Sequence, residues 1–318
     1  MADCFFPNVL PDFVPETTQH EQQEIGDTLI KLLSMPYSSL SQHFKRTALD
    51  LKETVTLETW GITSQKVSDF TLYCGTLAGV CALGAVAAKY AGNQESLNHY
   101  LTPFREIKLS RDLPDELLYG RAGFLWACLF LNNHLGEGTI TSTTTRAVVD
   151  EIIKNGRALG KKGGGSPLMF EWYGEKYWGA AHGLAGIIYV LMDTELKPDE
   201  AEDVKSTLRY MIRNRFPGGN YPASEQDRKS DVLVHWCHGA PGIALTLVKA
   251  AEVFGDDEFL EAAVDAAKVV WNRGLLKRAH KLISNGEMHG GDRPFSLFEG
   301  IGAPHPANLI DRAVKNVK

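Results

Sequence analysis

The chain has 318 residues, of which 44% are hydrophobic and 23% are charged, values typical of a globular protein rather than of a disordered chain. Its 33 basic and 39 acidic residues leave a formal charge of −6, which argues against a nucleic-acid-binding protein, because such proteins normally carry basic surface that neutralises phosphates. Five scattered cysteines do not suggest a disulfide framework, and the N-terminus lacks a basic region typical of signal peptides, so a cytoplasmic location is expected.

Helical periodicity dominates the chain, whereas alternating strand patterns are scarce. Apolar residues recur every three or four positions in three predicted helices, Glu21–Met35, Pro198–Arg213 and Asp257–Trp271. Two more segments, Asp115–Asn133 and Gly239–Phe254, are apolar on most sides and are predicted to be buried helices. These patterns predict a single all-α domain.

The segments between these helices include predicted loops and one long uncharged stretch. Glycine and proline predict loops at Gly92–Gln94, Gly156–Pro167 and Phe216–Asp231. The uncharged stretch Phe70–Ala88 is long enough to cross a bilayer, but its glycines and threonines favour a buried helix.

A short turn with two glycines recurs before apolar helices. Complete copies are GRAG at 120–123, GLAG at 183–186 and GAPG at 239–242, and imperfect copies begin at Gly75 and Gly300. The first glycines are 45, 63, 56 and 61 residues apart, a spacing that fits helical hairpins. Without a Cβ, each glycine would let a helix start close to its neighbours. A ring of such hairpins would direct helix N-termini at one cavity that favours an anion or a thiolate.

Two of the turns carry residues suited to chemistry. Cys237 and His238 precede the third complete turn, and both residue types are zinc ligands. Because the chain has no CxxC or HExxH pattern, a zinc ligand and a partly buried cysteine of a tight turn are both open readings of Cys237. His182, at the equivalent position of the second turn, is either a proton-transfer residue or a structural one. The remaining apolar-segment thiols, Cys74, Cys81 and Cys128, are predicted to lie in the core.

Aromatic residues cluster just before His182, at positions 172, 173, 177 and 178. Such rings anchor loops and cores, or line a sugar-binding cleft. A glycan-processing α/α barrel would need two carboxylates flanking that cleft, and the candidates are Glu171, Glu175 and Glu299. No recognisable motif pairs them.

Four segments resemble the LanC-like proteins, which are eukaryotic relatives of the bacterial lanthionine cyclases. Their amino-acid sequences are most similar to those of the plant members. They are DELLYGRAGFLWACLFLN at 115–132, YWGAAHGLAGIIYVL at 177–191, LVHWCHGAPG at 233–242 and DRPFSLFEG at 292–300. The resemblance implies an α/α toroid of seven helical hairpins with Zn²⁺ near its centre. It implies the addition of a glutathione or cysteine thiol to dehydroamino acids in a peptide or protein. An alternative that it also implies is a non-catalytic binding or signalling protein, linked to abscisic acid and peripheral at the plasma membrane.

The resemblance implies specific roles for two residues, Cys237 as a zinc ligand and His182 as the proton-transfer residue. The family's later GLCHG-like turn, which holds two further zinc ligands, has no counterpart after Arg278, and five glycine turns replace seven. We therefore expect an incomplete toroid, an incomplete Zn²⁺ site, and weak or absent thiol addition. The expected divisions are a helical extension at 1–65, the toroid domain at 66–302 and a divergent tail at 303–318.

Overall fold

The computed structural model describes residues 34–56, 71–73, 81–163 and 165–273. The chain divides into two compact units, one comprising Met1–Gln65 with Leu282–Lys318 and the other Lys66–Lys281. The described part of the first unit contains helix α1 (Tyr37–Thr56), which opens with a hydrogen bond from the Leu40 amide to the Pro36 carbonyl at 3.0 Å. The second unit contains the three complete glycine turns.

The described part of the second unit is helical. Its helices are α2 (Leu83–Ala91), α3 (Gln94–Arg105), α4 (Arg121–Leu135), α5 (Ser142–Gly163), α6 (Leu184–Leu191), α7 (Pro198–Arg213), α8 (Ala240–Phe254) and α9 (Asp257–Arg273). Extended pairing among the described residues is limited to two isolated bridges, Trp172 with Glu175 and Tyr177 with Ser224. The all-α prediction is confirmed.

Successive helices pack in the manner of hairpins arranged side by side. Within hairpins, α2 packs on α3, α4 on α5, and α8 on α9. Between hairpins, the first helices contact one another in order, α2 with α4, α4 with α6, and α6 with α8. The first helices therefore form an inner row, of which α6 is buried along almost its whole length. This is the layout of an α/α toroid, and three pairs of the described helices pack as its hairpins.

Ion pairs join the second helices of neighbouring hairpins on the outside of this row. Arg146 of α5 donates to Glu200 of α7 at 2.7 Å, and Arg209 of α7 donates to Glu258 of α9 at 3.0 Å. Glu200 is only 3% exposed, so Arg146 and the Lys197 amide, which also donates to it, compensate its burial. The pair between Arg209 and Glu258 is more exposed and contributes little by itself.

Helix α9, the last helix of the described residues, has one buried and one exposed face. One of its faces is buried, with Phe259, Ala262 and Ala266 in the core. A different face exposes Leu260, Val264 and Trp271, the last of them 78% exposed.

Several predicted helices occur as expected. Pro198–Arg213 has the predicted bounds, and the helices predicted at Gly239–Phe254 and Asp257–Trp271 differ from α8 and α9 by one or two terminal residues. The predicted helix Glu21–Met35 lies outside the described residues except for its last two positions. Of the Phe70–Ala88 stretch, the described part of α2 buries Gly84, Ala85 and Ala88, and no helix in the described ranges has the length and hydropathy needed to cross a bilayer.

Two predicted boundaries are wrong. The helix predicted from Asp115 begins at Arg121, because residues 115–120 form the turn that precedes it. The loop predicted at Gly156–Pro167 is helical as far as Gly163. Its glycines are packing positions, since a Cβ on Gly160 would lie 2.4 Å from the Pro167 carbonyl oxygen. Close packing outweighs the cost of glycine inside a helix, about 1 kcal/mol.

Candidate functional site

The three complete glycine turns share one geometry, in which backbone packs on backbone. A Cβ added to either glycine of a turn would lie within 2.4 Å of the carbonyl oxygen six residues earlier. The pairs are Gly120 with Pro114, Gly123 with Leu117, Gly183 with Tyr177, Gly186 with Ala180, Gly239 with Leu233 and Gly242 with Trp236. No larger residue fits unless the backbone moves, and the close contact is with the residues just before each helix, whereas the sequence predicts one with a neighbouring helix.

The third turn differs from the first two in what caps its helix. In the second turn, the Leu184 amide donates to the Tyr177 carbonyl at 3.1 Å. In the third, the Ala240 amide donates instead to the side-chain oxygen of Asn220 at 2.9 Å, and Gly239 has a φ of +103°. Asn220 is fully buried. The segment that carries Cys237 is therefore fixed by a side chain from a distant loop.

The second and third turns touch directly. A Cβ on Gly179 would lie 1.8 Å from the Cys237 carbonyl oxygen, and the Ala180 amide donates to the Trp236 carbonyl at 3.4 Å. Packing this close leaves room only for glycine at position 179. It places the residues before His182 against those around Cys237, so the two sequence-predicted site residues belong to one region.

His182 is held by a carboxylate from the first turn. Its Nδ1 lies 2.7 Å from Oε2 of Glu116, a residue that is 2% exposed. Glu116 also accepts the backbone amides of Leu118, at 2.9 Å, and Tyr119. Since a carboxylate only accepts hydrogen bonds, Nδ1 of His182 is the donor, which leaves Nε2 as the nitrogen without a proton in the neutral ring.

Aromatic rings hold the His182 ring on its faces. Trp172 stacks on it with ring centroids 3.7 Å apart and planes 13° apart, and Tyr119 lies parallel at 6.1 Å. Tyr177 lies between the two histidines of the site, 5.9 Å from His182 and 5.4 Å from His238. A ring stacked and hydrogen-bonded in this way has little freedom to rotate, so its Nε2 is held in a fixed direction.

Cys237 and His238 form the other side of the region. Both are half-buried. Nδ1 of His238 is buried and has no hydrogen-bond partner among the described residues. Burial lowers the pKa of His238, and the charges of His182 and His235 lower it further, so this ring is favoured in its neutral form.

A family model described as "Lanthionine synthetase C-like protein" matches residues 33–282. The chain belongs to this family. LanC-like protein GCL1 of Arabidopsis thaliana is 46% identical to it over 221 residues, covering 65% of this chain and 51% of the relative. Glutathione S-transferase LANCL1 of Danio rerio is 39% identical over 223 residues, covering 67% of this chain and 55% of the relative. The chain thus spans about half the length of these relatives.

Among solved structures, nisin cyclase is similar to this LanC-like chain. The TM-score is 0.48 and the identity 17%, with 74% of this chain and 65% of that chain covered.

The described residues of this LanC-like chain do not form a complete zinc site. A catalytic zinc site uses three protein ligands. Cys237 is one candidate and the adjacent His238 is the nearest further donor along the chain, but the described ranges hold no group of three His, Cys, Asp or Glu side chains placed to bind a metal ion. His280 and His289 lie outside the described residues. Whether Cys237 binds zinc therefore stays a prediction.

The remaining candidate residues of the LanC-like chain are three cysteines and the carboxylates considered for a glycan-processing site. Burial raises the pKa of Cys81 to about 11 and that of Cys128 to about 12, so both are core thiols as predicted; Cys74 lies outside the described residues. Of the carboxylates considered for a glycan-processing site, Glu171 is exposed, Glu175 belongs to a tight hairpin with Trp172, and Glu299 lies outside the described residues.

Sequence reasoning missed Glu116, the residue that orients His182. The available signal was an acidic residue four positions before Gly120, in the segment resembling the family. Its turn is secured by Arg121, which donates to the carbonyls of Ser110 and Arg111 at 3.0 and 2.8 Å and to Asp115 at 3.0 Å. Arg121 is 3% exposed, so the loop that presents Glu116 is fixed from inside the protein.

Proposed function

We propose that this chain binds a peptide containing a dehydroamino acid at His182 and protonates it as a thiol adds, with slow or negligible turnover. The observation that carries the proposal is the 2.7 Å hydrogen bond between His182 Nδ1 and the buried carboxylate of Glu116. This contact supports a ring whose tautomer is set in advance, with Nε2 available for proton transfer.

The proposed reaction balances without any oxidant or reductant. The thiol sulfur forms a bond to the β-carbon of the dehydroamino acid, the carbon–carbon π bond breaks, and an enolate remains. Nε2 of His182 takes the proton that the thiol loses and then gives it to the α-carbon, so the ring returns to its starting state. Glu116 stabilises the imidazolium through Nδ1, as a carboxylate does in a catalytic triad.

The proposed thiol donor is glutathione or a peptide cysteine. In support, one relative carries the name glutathione S-transferase. The start of α8, just after Cys237, adds the partial positive charge of a helix N-terminus, which favours a thiolate. No step is assigned to zinc, because the described residues do not supply its ligands. The expectation of slow turnover follows from the sequence, which has no GLCHG-like turn after Arg278.

The new stereocentre at the α-carbon provides the test. A proton from a fixed ring reaches one face of the enolate, whereas water reaches both. In a peptide of L residues with one dehydroalanine, the two glutathione adducts are diastereomers that chromatography separates. We expect the protein to enrich one diastereomer even if turnover is slow. His182→Gln should give the ratio of the protein-free reaction, while Glu171→Gln, a change at an exposed carboxylate, should behave as the parent.

Two results would contradict this proposal. A diastereomer ratio equal to the protein-free ratio, together with measurable peptide binding, would instead favour the non-catalytic binding protein. Rapid addition that is abolished both by a chelator and by Cys237→Ala would contradict the expectation of slow turnover. That second result would require zinc ligands from beyond the described residues.

A further inference from the structure

The turn beside His182 contains an exposed aromatic residue in a strained conformation. Trp172 and Glu175 exchange both of their backbone hydrogen bonds, at 2.9 and 3.1 Å, so Tyr173 and Gly174 form a two-residue hairpin loop. Both have positive φ, +49° for Tyr173 and +82° for Gly174, as in a type I′ turn. Tyr173 is the one non-glycine residue of the described chain with positive φ. Asn or Asp is the residue type that this position favours.

The hairpin is anchored so that the strain persists. Nε2 of Gln226 donates to the Gly174 carbonyl at 3.2 Å, and its Oε1 accepts the Lys176 amide at 3.2 Å. The Glu225 amide donates to the Lys176 carbonyl at 2.9 Å. These hydrogen bonds from a neighbouring segment fix the turn, so it keeps Tyr173 in a backbone conformation that is otherwise unfavourable for this residue type.

Packing does not explain why a large ring occupies this position. The side chain of Tyr173 is 88% exposed, and it meets the edge of Trp172 with centroids 4.7 Å apart and planes at 75°. Trp172 in turn stacks on His182 at 3.7 Å. Two successive ring contacts therefore separate Tyr173 from His182. An extended peptide advances about 3.3 Å per residue, so about two to three of its residues would span this separation.

We propose that Tyr173 is a specificity-determining residue that contacts an apolar side chain of the acceptor peptide, two or three positions from the residue protonated by His182. The inference rests on the proposed function, since it assumes that the peptide binds at His182. An aromatic ring already edge-on to Trp172 offers its exposed face to an apolar or aromatic side chain, a contact that contributes about 0.5–1.5 kcal/mol, or roughly 2- to 13-fold in affinity.

The test uses two dye-labelled heptapeptides, each with a central dehydroalanine. One carries Leu two and three positions to either side of it, and the other carries Ser at those positions. Fluorescence anisotropy gives the Kd of each for the parent protein, Tyr173→Asn and Tyr173→Phe. We expect the parent to prefer the Leu peptide by roughly 2- to 13-fold. Tyr173→Phe should keep this preference, and Tyr173→Asn should lose it.

The same variants give a readout that a structural role would not produce. Tyr173→Asn puts a favoured residue at the strained position, so its Tm should rise, by about 2 °C or more. A structural tyrosine would instead lower the Tm when it is removed. Retained peptide preference in Tyr173→Asn, or no preference in the parent, would overturn the assignment. If Tyr173→Asn still enriches one adduct diastereomer at saturating peptide, the proposed function stands independently; if the parent binds neither peptide, both proposals fail.

Discussion

Replacing Glu116 with Gln tests the proton-transfer argument most directly, because the two side chains have nearly the same shape. In the parent, one carboxylate oxygen accepts the Leu118 amide and His182 Nδ1, and the other accepts the Tyr119 amide. An amide side chain has one oxygen. Whichever way Gln is placed, one backbone amide faces an NH₂ group, and if NH₂ takes the His182 side, it donates to Nδ1 and moves the ring proton to Nε2.

The expected cost follows from these contacts. A buried donor left without an acceptor costs about 1–3 kcal/mol. For a compact unit the size of Lys66–Lys281, each kcal/mol shifts Tm by about 2–4 °C, so Glu116→Gln should melt about 2–12 °C lower than the parent. In a catalytic triad, the equivalent loss of the correct tautomer lowers kcat by about 10⁴. In either placement the carboxylate charge that would stabilise the imidazolium is also lost, so we expect the diastereomer ratio of the glutathione adduct to return to the protein-free value.

Melting curves by circular dichroism and chromatography of the adducts measure the two effects in the same protein samples. Glu171→Gln is the matched control, because it makes the same chemical change at an exposed carboxylate and should alter stability by no more than about 0.5 kcal/mol. A Glu116→Gln protein with the parent Tm and the parent diastereomer ratio would refute the reasoning. A lower Tm with an unchanged ratio would show that Glu116 is structural only.

Three further predictions concern packing, pH and metal. Gly179→Ala should sharply lower the urea midpoint, because the new Cβ would lie 1.8 Å from the Cys237 carbonyl oxygen. Gly163→Ala is the control, since the nearest atom to its Cβ would be 3.9 Å away, and it should leave the midpoint unchanged. Equal midpoints for the two variants would contradict this prediction. Burial raises the pKa of Asp115 from 3.8 to about 6, so its stabilising contribution is complete below about pH 4 and is lost as pH rises through 6. Urea titrations should show that the free energy of unfolding of the parent, taken relative to that of Asp115→Asn, falls by up to about 3 kcal/mol across that window. Histidines contribute in the opposite sense, but they do so in both proteins, so their effect cancels in the difference. Elemental analysis after dialysis against a mild chelator should find less than one zinc per chain; one tightly held zinc, lost in Cys237→Ala, would contradict that.

Local features of the sequence were enough to predict the helical class and the glycine turns. In α7, apolar residues every three or four positions predict the helix at its observed bounds, because periodicity is a property of neighbouring residues. The paired glycines predict a close approach of backbone, since only a missing Cβ permits it, and all three complete turns show it. His182 and Cys237 could be singled out because each lies within two residues of the first glycine of a complete turn.

Tertiary structure alone decided which residues meet. Glu116 reaches His182 across 66 residues of chain, and no local pattern records that distance. Aromatic residues close together in the sequence likewise occupy different environments, since Trp178 is fully buried in the core while Trp172 stacks on His182. Gly156 and Gly160 predict a loop from propensity, yet they lie in a helix because Phe170 and the Pro167 carbonyl pack against them. Propensity acts within a few residues, whereas these contacts depend on how segments far apart in the chain pack together, which sequence spacing does not specify.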